Sequence, residues 1–343
     1  MIFNLSNGSE LNTTEIINQQ SQAHDAQTQS KNSLRGYAFI LAAAAMWGTI
    51  GIFFTVLHFT YGLSALTIGF LRAGLAALFL FIGLGLWKRD ALKLSRELVV
   101  LYVLFGLFGV AFFYVLNTEA VILTNVATAS VLLYTAPVYV TLIAWRLWKE
   151  PLTTRKILAV IAAFIGCALV ARVYDPGTLQ LNGIGVLVAA AAGLTYALFT
   201  IFSKYLSTRA SPWTTVTYSL FFGALFLLPL QFLNIPLFGE SSAQNAQSYQ
   251  SVLYEPFAWL ALLGLCLGPT LGSYAFYNMG LRTTPASVAS VIATIEPVVA
   301  VIAGYLIFGQ MLEPLQILGA VIIIGAALSL TLQKDATQPV GTQ

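Results

Sequence analysis

Ten long apolar segments, separated by short polar stretches, run along the chain from residue 37 to residue 332. Each is close to the ~17–25 residues that a helix needs to cross the hydrocarbon core of a bilayer. The apolar residues are continuous within each segment, whereas the strands of a membrane barrel alternate apolar and polar residues, so helices are favoured. The pattern predicts an all-α membrane protein with ten transmembrane helices. Their predicted bounds are 37–57, 63–87, 98–116, 126–145, 157–173, 184–206, 213–232, 257–281, 286–308 and 315–332.

The second half of the chain repeats the first. Residues 274–308 match residues 114–148 at an offset of 160, and the first helices of the two halves match more weakly at an offset of 149. A self-match at a fixed offset indicates a duplicated unit. Because each unit has five helices, an odd number, the second unit enters the membrane from the other side. The prediction is two inverted five-helix repeats at 35–175 and 182–333. The matched pairs include Tyr114 with Tyr274, Pro137 with Pro297, and Trp47 with Tyr196.

Composition and charge support a membrane location and give it an orientation. Charged residues make up 8% of the chain, apolar residues 58%, and the mean hydropathy is +0.82. With the N-terminus inside, 14 of the 16 Lys and Arg residues fall on the cytoplasmic side, which is a strong positive-inside signal. We therefore expect a multi-pass protein of the plasma (bacterial inner) membrane with both termini cytoplasmic. Residues 1–34 and 334–343 are polar and predict disordered cytoplasmic tails.

Polar side chains at membrane depth are the candidates for a substrate site. Ser130, Tyr134 and Pro137 share one face of the fourth predicted helix, and the same spacing recurs in the ninth. Such stripes either join helices by hydrogen bonds or line a cavity, and both interpretations stay open. The predicted substrate-binding residues are Trp47, Arg72, Tyr114, Ser130, Tyr134, Tyr196, Tyr274, Asn278, Ser290 and Thr294.

The two matched prolines predict kinks in the fourth and ninth helices. Pro137 and Pro297 have no backbone N–H and so deprive the carbonyls of Leu133 and Ala293 of their helical partners. Freed carbonyls near the middle of the membrane can hold a substrate ammonium group, as in transporters with broken helices. A kink needed only for the shape of the bundle is an equal alternative.

Arg72 and Glu296 are the two charges predicted at membrane centre. At 1.5 Å per residue, Arg72 lies about 12 Å from the outer end of its helix and Glu296 about 16 Å from the inner end of its own, so their depths nearly match. A charge at this depth is costly unless it has a partner. The pair is either a structural ion pair, or a substrate anchor (Arg72) with a protonatable coupling group (Glu296). Glu296 lies about 200° round an ideal helix from Thr294, so only a kink at Pro297 would bring both to one cavity.

The chain resembles the EamA-like ten-helix exporters of the drug/metabolite transporter superfamily, across residues 35–333. The residues that carry the resemblance are Trp47–Gly48, Arg72, 114–137 with 149–152, 274–280, 286–290 and Glu296–Pro297. It implies a secondary transporter that exports a small amphipathic metabolite such as an amino acid, with protons as a candidate coupling ion.

Other classes fit the sequence less well. A phosphate-binding loop ending in Lys-Ser or Lys-Thr, which a primary pump needs, does not occur, nor do the motifs of a membrane enzyme. Cys167 and Cys266 lie in apolar runs and indicate neither a disulfide nor a metal site. We expect no cofactor, no metal and no nucleic acid partner, and a monomer or weak homodimer in the lipid bilayer. A channel or a receptor-type binding protein is the alternative.

Overall fold

The computed structural model describes residues 32–175, 177, 179, 182–233, 249 and 252–332, and within these it is helical, with no strand. In the described residues, ten apolar helices follow one another, and nine of them are long and apolar enough to cross a membrane. The remaining one, α5, has 17 residues. The protein is therefore a multi-pass membrane protein. The helices are α1 (Asn32–Thr60), α2 (Ala65–Trp87), α3 (Arg96–Leu123), α4 (Val126–Trp148), α5 (Thr154–Val170), α6 (Gly183–Ser207), α7 (Pro212–Gln231), α8 (Pro256–Leu281), α9 (Ala286–Phe308) and α10 (Pro314–Thr331).

The observed bounds differ from the predicted ones mainly at helix ends. Helix α3 continues to Leu123, seven residues beyond its predicted end, and α1 begins at Asn32, so residues 32–34 of the predicted N-terminal tail are helical. The rest of that tail and the tail at 334–343 lie outside the described residues. So does most of the long predicted loop between α7 and α8.

Helices α4 and α9 are each interrupted at the same place. Helix α4 consists of Val126–Leu133 and Ala136–Trp148, and α9 consists of Ala286–Ala293 and Glu296–Phe308. Pro137 and Pro297 lie in the first turn of the second pieces, where the missing N–H of proline costs little. The predicted kinks are thus two-residue breaks, and they lie 160 residues apart, like the sequence match itself.

Helices α3 and α8 also share a local irregularity. A π-helical segment interrupts each of them, Phe105–Ala111 in α3 and Cys266–Gly272 in α8. Such segments are frequent at functional sites and where a helix must adapt to its neighbours. In α3, a Cβ on Gly106 would come within 2.4 Å of Phe222 on α7, so the irregular segment lies where two helices approach closely. The two halves therefore repeat a backbone device as well as a sequence.

The two halves also contact each other reciprocally. Gly36 at the start of α1 packs against the end of α8, where a Cβ would lie 2.3 Å from Thr283. Gly185 at the start of α6 packs against the end of α3 in the same way, 2.5 Å from Thr124. A side chain fits at neither glycine without displacement. Because the first helix of each half meets the third helix of the other, the contacts favour the predicted two-fold relation between the repeats.

The bundle has two chemically different ends. Helices α2, α4, α6 and α8 finish at one of them, where Lys204 donates hydrogen bonds to the carbonyls of Leu281 (2.7 Å) and Thr284 (2.9 Å). At the other end α5 and α10 are joined by an ion pair between Arg172 and Glu313 (2.6 Å). We call the first the basic end and the second the opposite end. The basic end carries Arg35, Lys88, Arg89, Lys93, Arg96, Arg146, Lys149, Arg155, Lys156, Lys204, Arg209 and Arg282.

Candidate functional site

Seven of the ten helices converge on a small cavity in the middle of the bundle, the central chamber. Its volume is about 40 Å³, which suffices for a few water molecules and is well below the ~300–1,000 Å³ of a ligand pocket. The chamber is therefore smaller than a metabolite-sized pocket. The chamber is lined by Trp47 and Ile50 from α1, Arg72 from α2, Phe113 from α3, Leu133 from α4, Tyr196 and Phe199 from α6, Tyr274 from α8 and Glu296 from α9.

Trp47 is the centre of the aromatic wall of the chamber. Its ring lies 5.0 Å from that of Tyr277 and 6.1 Å from those of both Phe199 and Tyr274, measured between centroids. Only 5% of Trp47 is exposed, so these contacts fix the ring rather than leaving it free to move. The next residue, Gly48, has no Cβ and so lets α1 approach α9, where a Cβ would lie 2.7 Å from the carbonyl oxygen of Glu296. Local sequence thus places the tryptophan beside the break in α9.

Arg72 lies on aromatic rings rather than beside a carboxylate. Its guanidinium is 4.5 Å from the centroid of the Tyr114 ring, a cation–π contact. The hydroxyls of Tyr114 and Tyr274 are hydrogen-bonded to each other at 3.0 Å. These two residues are each other's counterparts in the two repeats. In the described part of the chain Arg72 has no ion-pair partner within 4.0 Å, and its Nε has no hydrogen-bond partner. The guanidinium therefore retains hydrogen-bonding capacity toward the chamber.

Glu296 directly follows the break in α9 and lines the chamber. It is the first residue of the second helical piece, where a negative charge is favoured by the helix dipole. Its carboxylate accepts a hydrogen bond from the Tyr196 hydroxyl at 3.2 Å. The break does not bring Glu296 and Thr294 to one cavity, because Glu296 lines the chamber while Thr294 lines an adjoining cleft.

The adjoining cleft, of about 10 Å³, collects further predicted residues toward the basic end. Tyr134, Pro137, Ser290 and Thr294 line it, and it shares Tyr196 with the chamber. The hydroxyls of Ser290 and Thr294 donate hydrogen bonds to carbonyls of their own helix, at 2.9 and 2.6 Å. Both hydrogen bonds therefore stay within α9.

Asn278 lies at neither cavity. It is 2% exposed, its Nδ2 donates to the Tyr274 carbonyl at 2.8 Å, and its Oδ1 has no hydrogen-bond partner in the described part of the chain.

A larger cavity of about 330 Å³ lies on the opposite-end side of the breaks, between the first piece of α4, α5 and the second piece of α9. Ser130 and Pro297 line it, and Tyr134 lines both this cavity and the adjoining cleft. The cavity reaches the surface at Val126 and Ala300, which are exposed. On this side, therefore, α4 and α9 are separated.

On the basic-end side the same two helices are joined. The second piece of α4 packs on the first piece of α9, with Ala286 among buried residues of α4. Glu150, just after α4, accepts hydrogen bonds from the N–H groups of Ala286 (2.8 Å) and Ser287 (3.3 Å) and from the Ser287 hydroxyl, and it pairs with Lys156 at 3.6 Å. We call these four residues the Glu150 clamp. The side chains of Glu150 and Lys156 are only 11% and 9% exposed, so the charges are well shielded from water.

Sequence reasoning missed three of the residues that build this region. Phe199 could have been found, because it follows Tyr196 by three residues and so shares its helical face. Phe113 precedes Tyr114 and stacks on Tyr196 at 5.2 Å, a contact between repeats that spacing does not reveal. Glu150 belongs to the residues that carry the family resemblance, but nothing in the sequence indicates that it reaches the start of α9.

Comparisons with known proteins agree with this architecture. A sequence profile of the EamA-like transporter family matches residues 34–172 and again 183–332. An "Uncharacterized transporter" of Archaeoglobus fulgidus is 30% identical over 85% of this chain and 95% of its own length. Protein PecM of Dickeya dadantii is 25% identical over 86% of this chain and 91% of its own. A solved crystal structure, 18% identical, aligns with a TM-score of 0.68 over 88% of this chain and 97% of its own, which shows a shared fold.

Proposed function

We propose, from the premise that the chain belongs to the EamA-like transporter family, that it is a secondary transporter that binds its substrate in the central chamber. One observation carries the proposal. Arg72 and Glu296 both line one buried chamber, yet each contacts tyrosines and no ion pair within 4.0 Å joins them. Two charges kept apart in a low-dielectric interior are costly to the fold, and residues of this kind mark transport pathways.

Alternating access is the mechanism that the two ends support. The Glu150 clamp closes the basic-end side of α4 and α9, while a cavity of about 330 Å³ separates the same helices on the other side. In an inverted repeat, exchanging the conformations of the two halves exchanges the open and the closed side. The transport cycle would then open the clamp and close α4 onto α9 at the opposite end.

The lining of the chamber suggests a small amphipathic metabolite with a carboxylate, such as an amino acid. Arg72 would anchor the carboxylate, since guanidinium binds carboxylates through paired hydrogen bonds. Trp47, Phe199 and Tyr274 would hold the apolar part of the substrate, and the carbonyls of Leu133 and Ala293 at the breaks are candidates for its ammonium group. The basic end would face the cytoplasm of a bacterial inner membrane, with both termini inside and transport directed outward.

Glu296 is the proposed coupling group for protons. It bonds to Tyr196 rather than to Arg72, so a change in its protonation can alter the chamber without breaking a structural ion pair. If Glu296 couples protons, Glu296→Gln should keep substrate exchange and lose the response to an imposed pH gradient. Glu296→Gln transport that retains its normal dependence on the pH gradient would exclude the coupling role.

The experiment that tests the function is a metabolite panel on inside-out vesicles and on proteoliposomes of the purified chain. A transporter should show counterflow, in which unlabelled substrate on one side accelerates uptake of labelled substrate from the other. A channel would conduct without counterflow, and a receptor-type protein would bind without uptake. The test variant is Arg72→Met, which should lose carboxylate-bearing substrates more than their neutral analogues.

A further inference from the structure

The opposite-end cavity, which lies between the first piece of α4, α5 and the second piece of α9, is large enough to hold a ligand of its own. Its volume of about 330 Å³ is in the range of ~300–1,000 Å³ found for ligand pockets. Its mouth lies at Val126 and Ala300, which are apolar and exposed. At 1.5 Å per residue, Ala300 is about 12 Å from the end of α9 at Phe308, which places it within the hydrocarbon of a bilayer. The mouth therefore opens sideways, toward lipid.

The walls of this cavity are mainly apolar and are supplied by Val126, Ala127, Val170, Ala171 and Val301. Apolar walls alone do not draw a molecule out of the bilayer, because lipid tails are as apolar as these side chains. A ligand that prefers the cavity to the surrounding lipid must therefore gain hydrogen bonds from the few polar groups that line it.

Ser130 and Tyr134, one helical turn apart on α4, supply two such groups. Neither hydroxyl has a hydrogen-bond partner in the described part of the chain, and neither is fully enclosed by protein atoms. Their counterparts in the second repeat, Ser290 and Thr294, instead donate to carbonyls of their own helix. A hydroxyl without a partner is costly at membrane depth, and a donor or acceptor on a ligand would satisfy it. The two hydroxyls therefore mark the place of a polar head group.

The charges at the rim of the cavity favour a neutral head group over an anionic one. Arg172 lines the cavity, but its guanidinium pairs with the carboxylates of Asp175 at 3.2 Å and Glu313 at 2.6 Å. Two carboxylates around one guanidinium leave the rim negative. A fatty acid or an anionic phospholipid would be repelled by that charge, whereas an uncharged head group would not.

We infer that the opposite-end cavity binds an amphipathic molecule from the bilayer, with an uncharged hydrogen-bonding head group such as an alcohol or an amide. The head group bonds to the hydroxyls of Ser130 and Tyr134, and the apolar chain passes between Val126 and Ala300 into the lipid. Binding at this site does not depend on the transport function of the chamber. A bound molecule fills the space between α4 and α9, so under the proposed alternating access it opposes closure of the opposite end.

The test is photolabelling of the purified full-length protein in lipid nanodiscs. The probe is octanol with a photoreactive diazirine in its chain, and mass spectrometry of peptides locates the residues to which it attaches. Plain octanol and octanoate, in excess, serve as neutral and anionic competitors. The cavity variant is Ser130→Ala with Tyr134→Phe. Its matched control is Ser290→Ala with Thr294→Val, which removes the two counterpart hydroxyls from α9.

We expect saturable labelling of the peptides that line the cavity, with octanol competing several-fold better than octanoate. The cavity variant should be labelled about tenfold less, because two hydrogen bonds to the head group are lost, and the control should change by less than twofold. Labelling that octanol does not compete, or that is spread over the lipid-facing helices, would show partition into the bilayer only and overturn the proposal. Equal losses in the two double variants, or saturable labelling confined to the chamber, would overturn it as well.

A second variant tests the position of the site without touching either hydroxyl. Ala127→Phe places a ring in the cavity, and we expect it to abolish the saturable labelling. Labelling of the same peptides that persists in this variant would overturn the assignment to the cavity. Because labelling is measured without transport, the absence of counterflow would overturn the proposed function and leave this site in place.

Discussion

The two repeats share their backbone devices but not their charges. Both have a break before a proline, a π-helical segment in the third helix, and a serine cap at the start of the second helix, Ser64 in one and Ser211 in the other. Yet, counted from these two serines, Arg72 on α2 corresponds to Ser219 on α7, and at the offset of 160 Glu296 on α9 corresponds to Ala136 on α4. Each repeat brings one charge to the chamber where its counterpart is neutral.

The residues that follow the two broken helices, α4 and α9, show the same asymmetry. Glu150 after α4 clamps the start of α9, whereas its counterpart after α9, Gln310, is exposed, and the counterpart of Ser287 is Ala127. The hydrogen bonds of the Glu150 clamp therefore have no equivalent between the counterpart residues Gln310 and Ala127 at the opposite end. The repeats thus share their helix breaks and π-helical segments, and they differ in the charged side chains at the chamber and at the clamp.

Removing either chamber charge should impair transport, while changing its counterpart should not. Arg72→Met removes the proposed charge-assisted hydrogen bonds to the substrate carboxylate, worth roughly 1.5–3 kcal/mol, which corresponds to about a tenfold or greater loss of carboxylate-substrate affinity. Glu296→Gln should keep this affinity and the exchange of substrate, and lose the response to an imposed pH gradient. Ser219→Ala should leave affinity within about twofold. The measurement is substrate binding to purified variants of equal membrane abundance. If the charges were instead a structural pair, each single variant would lose about 3–5 kcal/mol of stability and the double variant would recover part of it.

Opening the Glu150 clamp should shift the resting conformation. Glu150→Gln removes the charge from hydrogen bonds to Ala286 and Ser287 and from the pair with Lys156, and we expect a shift of about tenfold toward the state open at the basic end. Spin labels on Arg146→Cys and Arg282→Cys, in a chain whose two buried cysteines are replaced, report the distance between the helix ends. Gln310→Ala is the matched control and should leave the distance distribution unchanged. An equal shift in both variants would contradict the asymmetry.

The Tyr196 hydroxyl should matter more for transport than that of Tyr277. Tyr196→Phe removes the bond to Glu296, and Tyr277→Phe removes a bond of 2.9 Å to Thr200, away from any charge. Because bonds to charged groups are stronger, Tyr196→Phe should lower transport by about three- to tenfold and alter its pH profile. Tyr277→Phe should cost about 1 kcal/mol of stability and leave the pH profile as it is. Transport kinetics across a pH series measure both.

The smallest effect should be equal in the two repeats. Ser64→Ala and Ser211→Ala each remove a helix cap, with bonds of 3.0 and 3.1 Å to the N–H groups of Thr67 and Thr214. Loss of such a cap costs about 1 kcal/mol. The unfolding free energies of the two variants in mixed detergent should agree within about 0.5 kcal/mol. A difference of twofold or more would show that the shared backbone devices are not equivalent.

Much of the fold was predictable because hydrocarbon imposes a simple rule on length and composition. The ten segments and the common depth of Arg72 and Glu296 follow from apolar runs and a fixed rise per residue. The predicted membrane helices are confirmed. Nine are long and apolar enough to cross a membrane, and α5, with 17 residues, is one residue shorter than α10, the shortest of the nine. The π-helical segments were not predictable, because they depend on which helix Gly106 meets. The Glu150 clamp was not either, since it joins residues 136 positions apart.

The hydrogen bond between Tyr114 and Tyr274 joins two residues that are counterparts of each other. An exchange of conformations between the repeats converts most contacts into different ones, but it converts this bond into itself. If the halves rock as proposed, the bond can therefore stay intact through a complete cycle, at a fulcrum between them. Arg72 packs on the Tyr114 ring at 4.5 Å and so is fixed to that fulcrum. The substrate carboxylate would then stay nearly stationary while the paths to it open and close around it.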